Sequence, residues 1–295
     1  MSDVANAQIT VSAVMDQLSE NLRAAGLDES RKIAADIIAA LLEVPRSWPS
    51  INRSVPLDQA IVKSANRAVD MLAKRAPFAY AVGVACFRHL NLVVDERVLI
   101  PRPETEVLVG EILDRMEAMG ATAWGTAVDI GTGSGAIALS LAAEGKFDRV
   151  IATDASLDAL AVARENCSRA AKVLRAPVDF RHGSLLAPLN VEKASVIVSN
   201  PPYVAFSEAD ALPSRVRDWE PPLALFSGHD GMRATAEIVR NGARHLTRGG
   251  LLALEVDERR ASIVAEMMMG HGAYSNVGVR LDLAGRERFV FGLRL

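Results

Sequence analysis

Three short clusters in this 295-residue sequence have the residue types and spacing to do chemistry. The first is Gly131-Thr132-Gly133-Ser134-Gly135, directly after the apolar run Ala127-Val128-Asp129-Ile130. A strand that ends in a glycine-rich loop and continues as a helix lets backbone N–H groups approach a ligand closely. A dinucleotide fingerprint would carry a further glycine where Ala136 stands, and no phosphate-loop lysine follows, so the pattern indicates a ligand loop without naming the ligand. The second cluster is Asp154, about twenty residues further on, where a carboxylate can accept both hydroxyls of a ribose. A plain helix N-cap ahead of Leu157 is the competing role for it. The third is Asn200-Pro201-Pro202-Tyr203, which closes the apolar run Val196-Ile197-Val198-Ser199. Proline cannot donate to a sheet ladder and keeps its predecessor out of the helical region, so a strand must stop at Asn200 and present its amide in a rigid, extended corner.

Parallel strands are needed to bring these three clusters together. From Gly125 onward, strand-like runs (TAVDI, RVIATD, VDFRH, ASVIVS, LLALEV) alternate with helical ones (AIALSLAAE, LDALAVAREN), the pattern of a mostly parallel sheet covered by helices on both faces. Two more strand-like runs end the chain, and a helix is expected near residues 232–246. Residues 1–77 instead read as a small helical bundle. Ala34, Ile37, Ile38, Leu41 and Leu42 recur at helical spacing, Asp28 or Ser30 is the expected cap, and a second periodic segment runs from Leu57 to Lys74. Alternation and Val, Leu and aromatic content over residues 78–100 predict a β-hairpin linking the bundle to a domain of residues 101–295. Pro101 and Pro103 hold Arg102 extended, and Glu104-Thr105-Glu106 open a helix whose first turn favours acids.

Composition narrows the classes. Half the residues are hydrophobic, yet no uninterrupted apolar run reaches the roughly 18 residues of a membrane span, so a soluble protein is expected. The start, MSDVANAQIT, lacks the basic and apolar regions of a secretory leader, which predicts a cytoplasmic location. A net charge of −3 argues against a surface dedicated to nucleic acid. Cys86 and Cys167 lie in unrelated segments away from any Cys or His at ligand spacing, so they read as buried or half-buried thiols, and no metal site is expected.

The order GTGSG, Asp154, NPPY on alternating strands resembles a class I S-adenosylmethionine-dependent methyltransferase acting on a planar amide or amine nitrogen. The segments LIPRPETE, EPPLALFSGHDG and DLAGRERFV narrow the resemblance, over nearly the whole chain, to the HemK/PrmC family, which methylates the glutamine side-chain amide in the Gly-Gly-Gln loop of peptide-chain release factors. That resemblance implies a Rossmann-like fold with a seven-stranded sheet, S-adenosyl-L-methionine as cofactor and a release factor as protein partner held by the helical domain; a monomer is the simpler expectation, because docking of that substrate would need both domains exposed. It implies cofactor contacts from Gly131, Thr132, Gly133, Ser134, Gly135, Asp154, Ser184, Leu185 and Asn200, and substrate contacts from Asn200, Pro201, Pro202, Tyr203, Arg102 and Thr105. Asn200 Oδ1 and the Pro201 carbonyl would accept the acceptor's N–H groups, Pro202 would fix the turn, and Tyr203 would wall the site. Arg102 could equally pair with a nearby carboxylate, and Glu220 is expected to order the loop after NPPY.

Three stretches depart from the family's pattern: Ser184 replaces an acid expected near adenine, Asp257-Glu258-Arg259-Arg260 replaces a glycine-containing loop, and CFRH replaces an aromatic-rich stretch. They keep open a different amide or guanidine acceptor, on a ribosomal protein or a small molecule. Adenine-N6 DNA methylation, which shares NPPY, and a non-catalytic binding module are the remaining alternatives.

Overall fold

In a computed structural model of the chain, the residues described are 9–120 and 122–295; the start of the chain, read above as lacking a leader, lies largely outside them. Two compact units are present, one ending at Val84 and the other beginning at Ala85.

The first unit is helical: α1 (Val11–Ala24), α2 (Ser30–Leu41), α3 (Trp48–Ile51), α4 (Gln59–Ala73) and α5 (Phe78–Val82). Of the set the periodicity selects, Ala34, Ile37 and Ile38 of α2 are fully buried against Val14, Leu18 and Leu22 of α1 and Ala65 and Ala68 of α4, while Leu41 and Leu42 are only partly buried. The cap expected at Asp28 or Ser30 is absent: Glu29 occupies the N-cap in a left-handed conformation without a side-chain bond. Ser30 is the first helical residue, and its hydroxyl lies 3.1 Å from Ser19 Oγ in the interior. A buried hydroxyl needs a partner, and here an interhelical one replaces the cap. Side-chain capping occurs instead at Asp58, whose Oδ1 accepts the Ala60 N–H at 2.8 Å.

The hairpin expected over residues 78–100 is shorter than the alternation suggests. Only β1 (Val84–Phe87) and β2 (Leu90–Val93) pair, while Phe78–Val82 forms a helical turn between Pro77 and Gly83. Five residues are too few to separate a period of 2 from one of 3.6. Cys86, expected to be at least half-buried, is exposed on the solvent face of this two-stranded ribbon; Cys167 is half-buried. Within the second unit, to which the hairpin belongs from Ala85 onward, Asn166 accepts the Val93 N–H (2.7 Å) and donates to the Val93 and Ser134 carbonyls.

The second unit contains α6 (Pro103–Ala118), β3 (Thr126–Ile130), α7 (Ala136–Glu144), β4 (Arg149–Asp154), α8 (Leu157–Ala170), β5 (Val178–His182), β6 (Ala194–Ser199), α9 (Ser214–Arg217), α10 (Pro222–Leu225), α11 (Arg233–Gly242), β7 (Leu246–Glu255), α12 (Ala261–His271), β8 (Tyr274–Leu281) and β9 (Glu287–Arg294). The strands form one seven-stranded sheet in the order β5-β4-β3-β6-β7-β9-β8, parallel except for β9, which runs against both neighbours. This is the class I methyltransferase fold. Both faces are buried. Val196 and Val198 face a core shared with α6 and α7, while Ile197 between them faces a second core shared with α11 and α12. Two buried faces explain why the central strands read as unbroken apolar runs instead of alternating ones. Among the described residues, no helix is long and apolar enough to cross a membrane.

Candidate active site

Strand order reverses between β3 and β6, so a crevice opens beyond their C-terminal ends, the place where open α/β sheets bind ligands. The pairing register aligns what lies there. Asp154 pairs with His182, Thr153 with Ile130, Ile130 with Ser199, and Ser199 with Leu254. One residue further along each strand, His182, Asp154, Gly131, Asn200 and Glu255 form a row across the edge of the sheet. Ser199 fastens its centre by donating to the Ile130 carbonyl at 2.7 Å.

On one side of the crevice the glycine loop is shaped from below. Asp129, fully buried, accepts the Thr132 hydroxyl (2.7 Å) and the Ala138 N–H (3.1 Å) on its Oδ2. Burial pushes its carboxyl up to about 7 against those two bonds, which pull it down. Gly131 and Gly133 have positive φ, and a Cβ added to either would meet nothing within 4 Å, so the loop faces open space. Asp154 accepts the Gly133 N–H on Oδ2 (2.9 Å) and the Ser156 N–H on Oδ1 (2.8 Å). The cap of α8 is Ser156, whose hydroxyl accepts the Ala159 N–H, so the helix does not require Asp154 for that role. The Ala155 N–H also approaches this carboxylate, which has about four lone-pair positions and so keeps capacity for a hydroxyl donor. An open glycine cradle beside a carboxylate fits the adenosine and methionine portions of S-adenosyl-L-methionine. Thr132 and Ser134 are buried beneath the loop and support it from inside. Ser184 is exposed on the turn after β5, and Leu185, at φ 46, packs on the core of the α11–α12 face.

The other side is built from side chains. Asn200 Nδ2 donates to Thr105 Oγ1 at 3.3 Å, and Thr105 Oγ1 donates to Glu255 Oε2 at 2.7 Å. Thr105 and Glu255 are 5% and 2% exposed, so this chain runs through the interior. Burial pushes the Glu255 carboxyl up to about 7, opposed by the Thr105 bond and the Arg288 charge. Pro201 is buried, Pro202 and Tyr203 half-buried. The Arg288 guanidinium stands 6.0 Å from the centre of the Tyr203 ring, and burial pushes that phenol up to about 12, keeping it neutral.

The long loop after NPPY is held from three directions. Arg102 pairs with Glu220 at 2.5 Å, and Glu220 is buried. Thus Arg102, a candidate for lining the pocket, is placed in an ion pair. Val204 exchanges main-chain bonds with Leu225 and Ser227. Arg260 donates to the Asp230 carbonyl (2.8 Å) and to Glu208 (3.0 Å), so the charged loop that departs from the family pattern clamps this region. Gly231 admits the close approach, since a Cβ there would strike the Tyr203 carbonyl. Glu104, next to Thr105, meets Arg286 at 3.1 Å, and Arg286 is fixed on Asp282, which joins the PRPETE and DLAGRER segments.

Glu255 and Asp129 were not among the expected site residues. Each is a lone acid within an apolar strand buried on both faces, which is the informative kind of exception to hydrophobic interiors.

Residues 106–213 match the family described as Methyltransferase small domain, and residues 13–83 match the PrmC N-terminal domain. The release factor glutamine methyltransferase of Moorella thermoacetica is 36% identical over 286 residues, covering 97% of this chain and 99% of that protein. Its counterpart in Cereibacter sphaeroides is 37% identical over 269 residues, 91% of this chain and 93% of that protein. Among solved structures, the hMettl16 catalytic domain in complex with MAT2A 3′UTR hairpin 6 aligns with a TM-score of 0.55 at 12% identity, over 87% of this chain and 91% of that one, a likeness of fold alone. The chain belongs to the release factor glutamine methyltransferase family and is an S-adenosyl-L-methionine-dependent methyltransferase.

Proposed function

We propose that this enzyme methylates the side-chain amide nitrogen of the glutamine in the Gly-Gly-Gln loop of a peptide-chain release factor, with Asn200 as the residue that orients the amide. One observation carries this reading: Ile130 and Ser199 are paired at the ends of neighbouring parallel strands, and Gly131 and Asn200 are the residues that follow them directly. An amide acceptor and a cofactor cradle thereby adjoin. When bound, S-adenosyl-L-methionine supplies an electrophilic methyl group on a sulfonium sulfur.

An amide nitrogen is a weak nucleophile because its lone pair is delocalised into the carbonyl. Asn200 Oδ1 and the Pro201 carbonyl each accept one N–H of the glutamine amide, which turns the nitrogen toward the cradle and stabilises the positive charge that grows on it. Pro202 keeps the two acceptors in fixed relation, and the Tyr203 ring gives the cationic centre an aromatic wall. Gly131 and Gly133 offer their main chain to the cofactor, and Asp154 takes its ribose hydroxyls. Transfer would form one N–C bond as the donor's S–C bond breaks, and the proton shed by the product amide would pass to water, so no side chain is needed as general base. The helical first unit, similar to the PrmC N-terminal domain, serves to hold the protein substrate. Because Arg259 and Arg260 are engaged with Asp257 and Glu208, their charge offers little support for a different acceptor.

The test is incubation of the enzyme and a methyl-labelled cofactor with a release factor, with free glutamine and arginine, and with DNA in separate reactions. Label on the Gly-Gly-Gln glutamine alone is the expected result; label on DNA or on free amino acids with none on the release factor would refute the assignment.

A further inference from the structure

The chain of bonds from Glu255 through Thr105 to Asn200 has a direction, and that direction decides which end of the Asn200 amide faces the crevice. An ionised carboxylate only accepts, and the Thr105 hydroxyl has one proton, given to Glu255 Oε2 at 2.7 Å. The same oxygen must then accept from Asn200, so the NH2 end of the carboxamide is the end at 3.3 Å from it. Oδ1 is left pointing the other way. Without an acceptor-only group at the head of the chain, Thr105 could donate to Oδ1 instead, and a half-turn of the carboxamide would set its NH2 against the NH2 of the substrate, two donors face to face. Such reversals are governed by the surrounding bonds rather than by the shape of the amide.

Resting on the reading that Asn200 accepts from the substrate amide, we propose that Glu255 is a positioning residue for methyl transfer: by taking the Thr105 proton it locks Asn200 with its oxygen toward the acceptor nitrogen. An acid in the last position of an apolar, doubly covered strand is costly to bury, and this task gives it a use. The charged and titratable groups around it are Arg288 of β9, Arg102 and Glu104 at the start of α6, and Tyr203 on the turn. A protonated Glu255 can donate to Thr105, as a glutamine amide can, and either change removes the lock. The carboxyl, pushed up to about 7, is ionised at mildly alkaline pH.

The variants that test this are Glu255→Gln, Thr105→Val and Thr105→Ser in the full-length enzyme. Glu255→Gln and Thr105→Val should lower kcat by about 10-fold, the worth of one oriented hydrogen bond to a charged group, with cofactor affinity unchanged. Thr105→Ser, which retains the hydroxyl, should recover most of what Thr105→Val loses. The wild-type kcat should fall as pH drops below about 7, and the Glu255→Gln profile should lack that fall. A second readout needs no acceptor: the side-chain NH2 signals of Asn200 in 15N spectra, identified by their loss in Asn200→Ala, should move in Glu255→Gln and Thr105→Val and return in Thr105→Ser. Unmoved signals, or a Glu255→Gln enzyme with wild-type kcat and pH profile, would overturn the proposal. If the signals move as described but wild-type enzyme leaves the release factor unmethylated, the lock stands and the acceptor assignment falls.

Discussion

The two sides of the crevice are made of different material. Beyond β3 and β4 the site is main chain: a glycine loop, one carboxylate tied to a loop N–H, and a buried acid holding the loop from beneath. Beyond β6 and β7 it is side chain, with Asn200, Thr105 and Glu255 bonded in series and Arg102, Arg260 and Arg286 pinning the surrounding segments. Main chain is suited to a cofactor that every turnover shares, because its donors are fixed by the strand ends. Side chains are suited to aiming one acceptor, because each can be set by a partner from elsewhere in the fold. If this division of labour is right, damage on the first side should raise cofactor dissociation, and damage on the second should lower turnover.

The largest effect is expected from Asn200→Ala. Loss of one of two oriented acceptors should cut kcat by about 100-fold or more, with cofactor affinity in titration calorimetry close to wild type. A variant that lost cofactor affinity in the same proportion would break the comparison at its centre. Next is Arg102→Met. Glu220 is 3% exposed, its Oε2 lacks a hydrogen-bond partner among the described residues, and burial already pushes its carboxyl up. Removing the guanidinium strands that charge at a cost of about 3 kcal/mol, read as a drop of several degrees in Tm. Adding Glu220→Gln should return part of the loss, since a neutral amide is cheaper to bury. An unchanged Tm together with weaker ligand binding would return Arg102 to the pocket wall.

On the cofactor side, Asp154→Ala should raise the cofactor dissociation constant by about 30-fold, the worth of a carboxylate's hydrogen bonds at roughly 2 kcal/mol. Saturating cofactor should restore kcat. If kcat stayed low at saturation, Asp154 would act on the acceptor side as well, and the boundary between the two regions would have to move.

The same contrast explains what could be read in advance. The cofactor side is local in sequence: glycines follow one strand, the acid ends the next, and spacing alone finds them. That the sheet is mostly parallel then follows from alternation, and most of the core of α2 from its period. From residue types alone the acceptor side was legible at Asn200-Pro201-Pro202-Tyr203, where proline geometry forces a corner, and the family resemblance added Arg102 and Thr105 without their partners. Thr105 and Glu255 meet Asn200 because helix α6 and strand β7 flank it in space, and no periodicity in the chain records such a juxtaposition. A lone glutamate in LLALEV was the available signal. The Ser30 cap and the length of the hairpin were misread for a related reason, since an interhelical partner for one hydroxyl and five residues of helix both lie below what local pattern resolves.

The smallest effect concerns pH, and it sets the two buried acids against each other. Asp129 lies under the glycine loop and Glu255 under Asn200, and burial raises both folded carboxyls to about 7, from ordinary values of 3.8 and 4.5. A raised acid binds its proton more tightly folded than unfolded, so its stabilising contribution is whole below its ordinary value and is lost as pH climbs through about 7. Between pH 5 and 8 each acid should therefore steepen the decline of stability by about 2 kcal/mol, an amount that relaxation of the buried site reduces from the full linkage value. Asp129→Asn and Glu255→Gln, compared with wild type by urea unfolding across that range, should each flatten the slope in similar measure. Their pH–rate profiles should then part: the acid limb of kcat disappears in Glu255→Gln and persists in Asp129→Asn, because only Glu255 is linked through Thr105 to the amide that aims the substrate. Loss of the acid limb in both variants would mean that the glycine side also senses protonation during turnover, and the separation between a main-chain cradle and a side-chain sight would no longer hold.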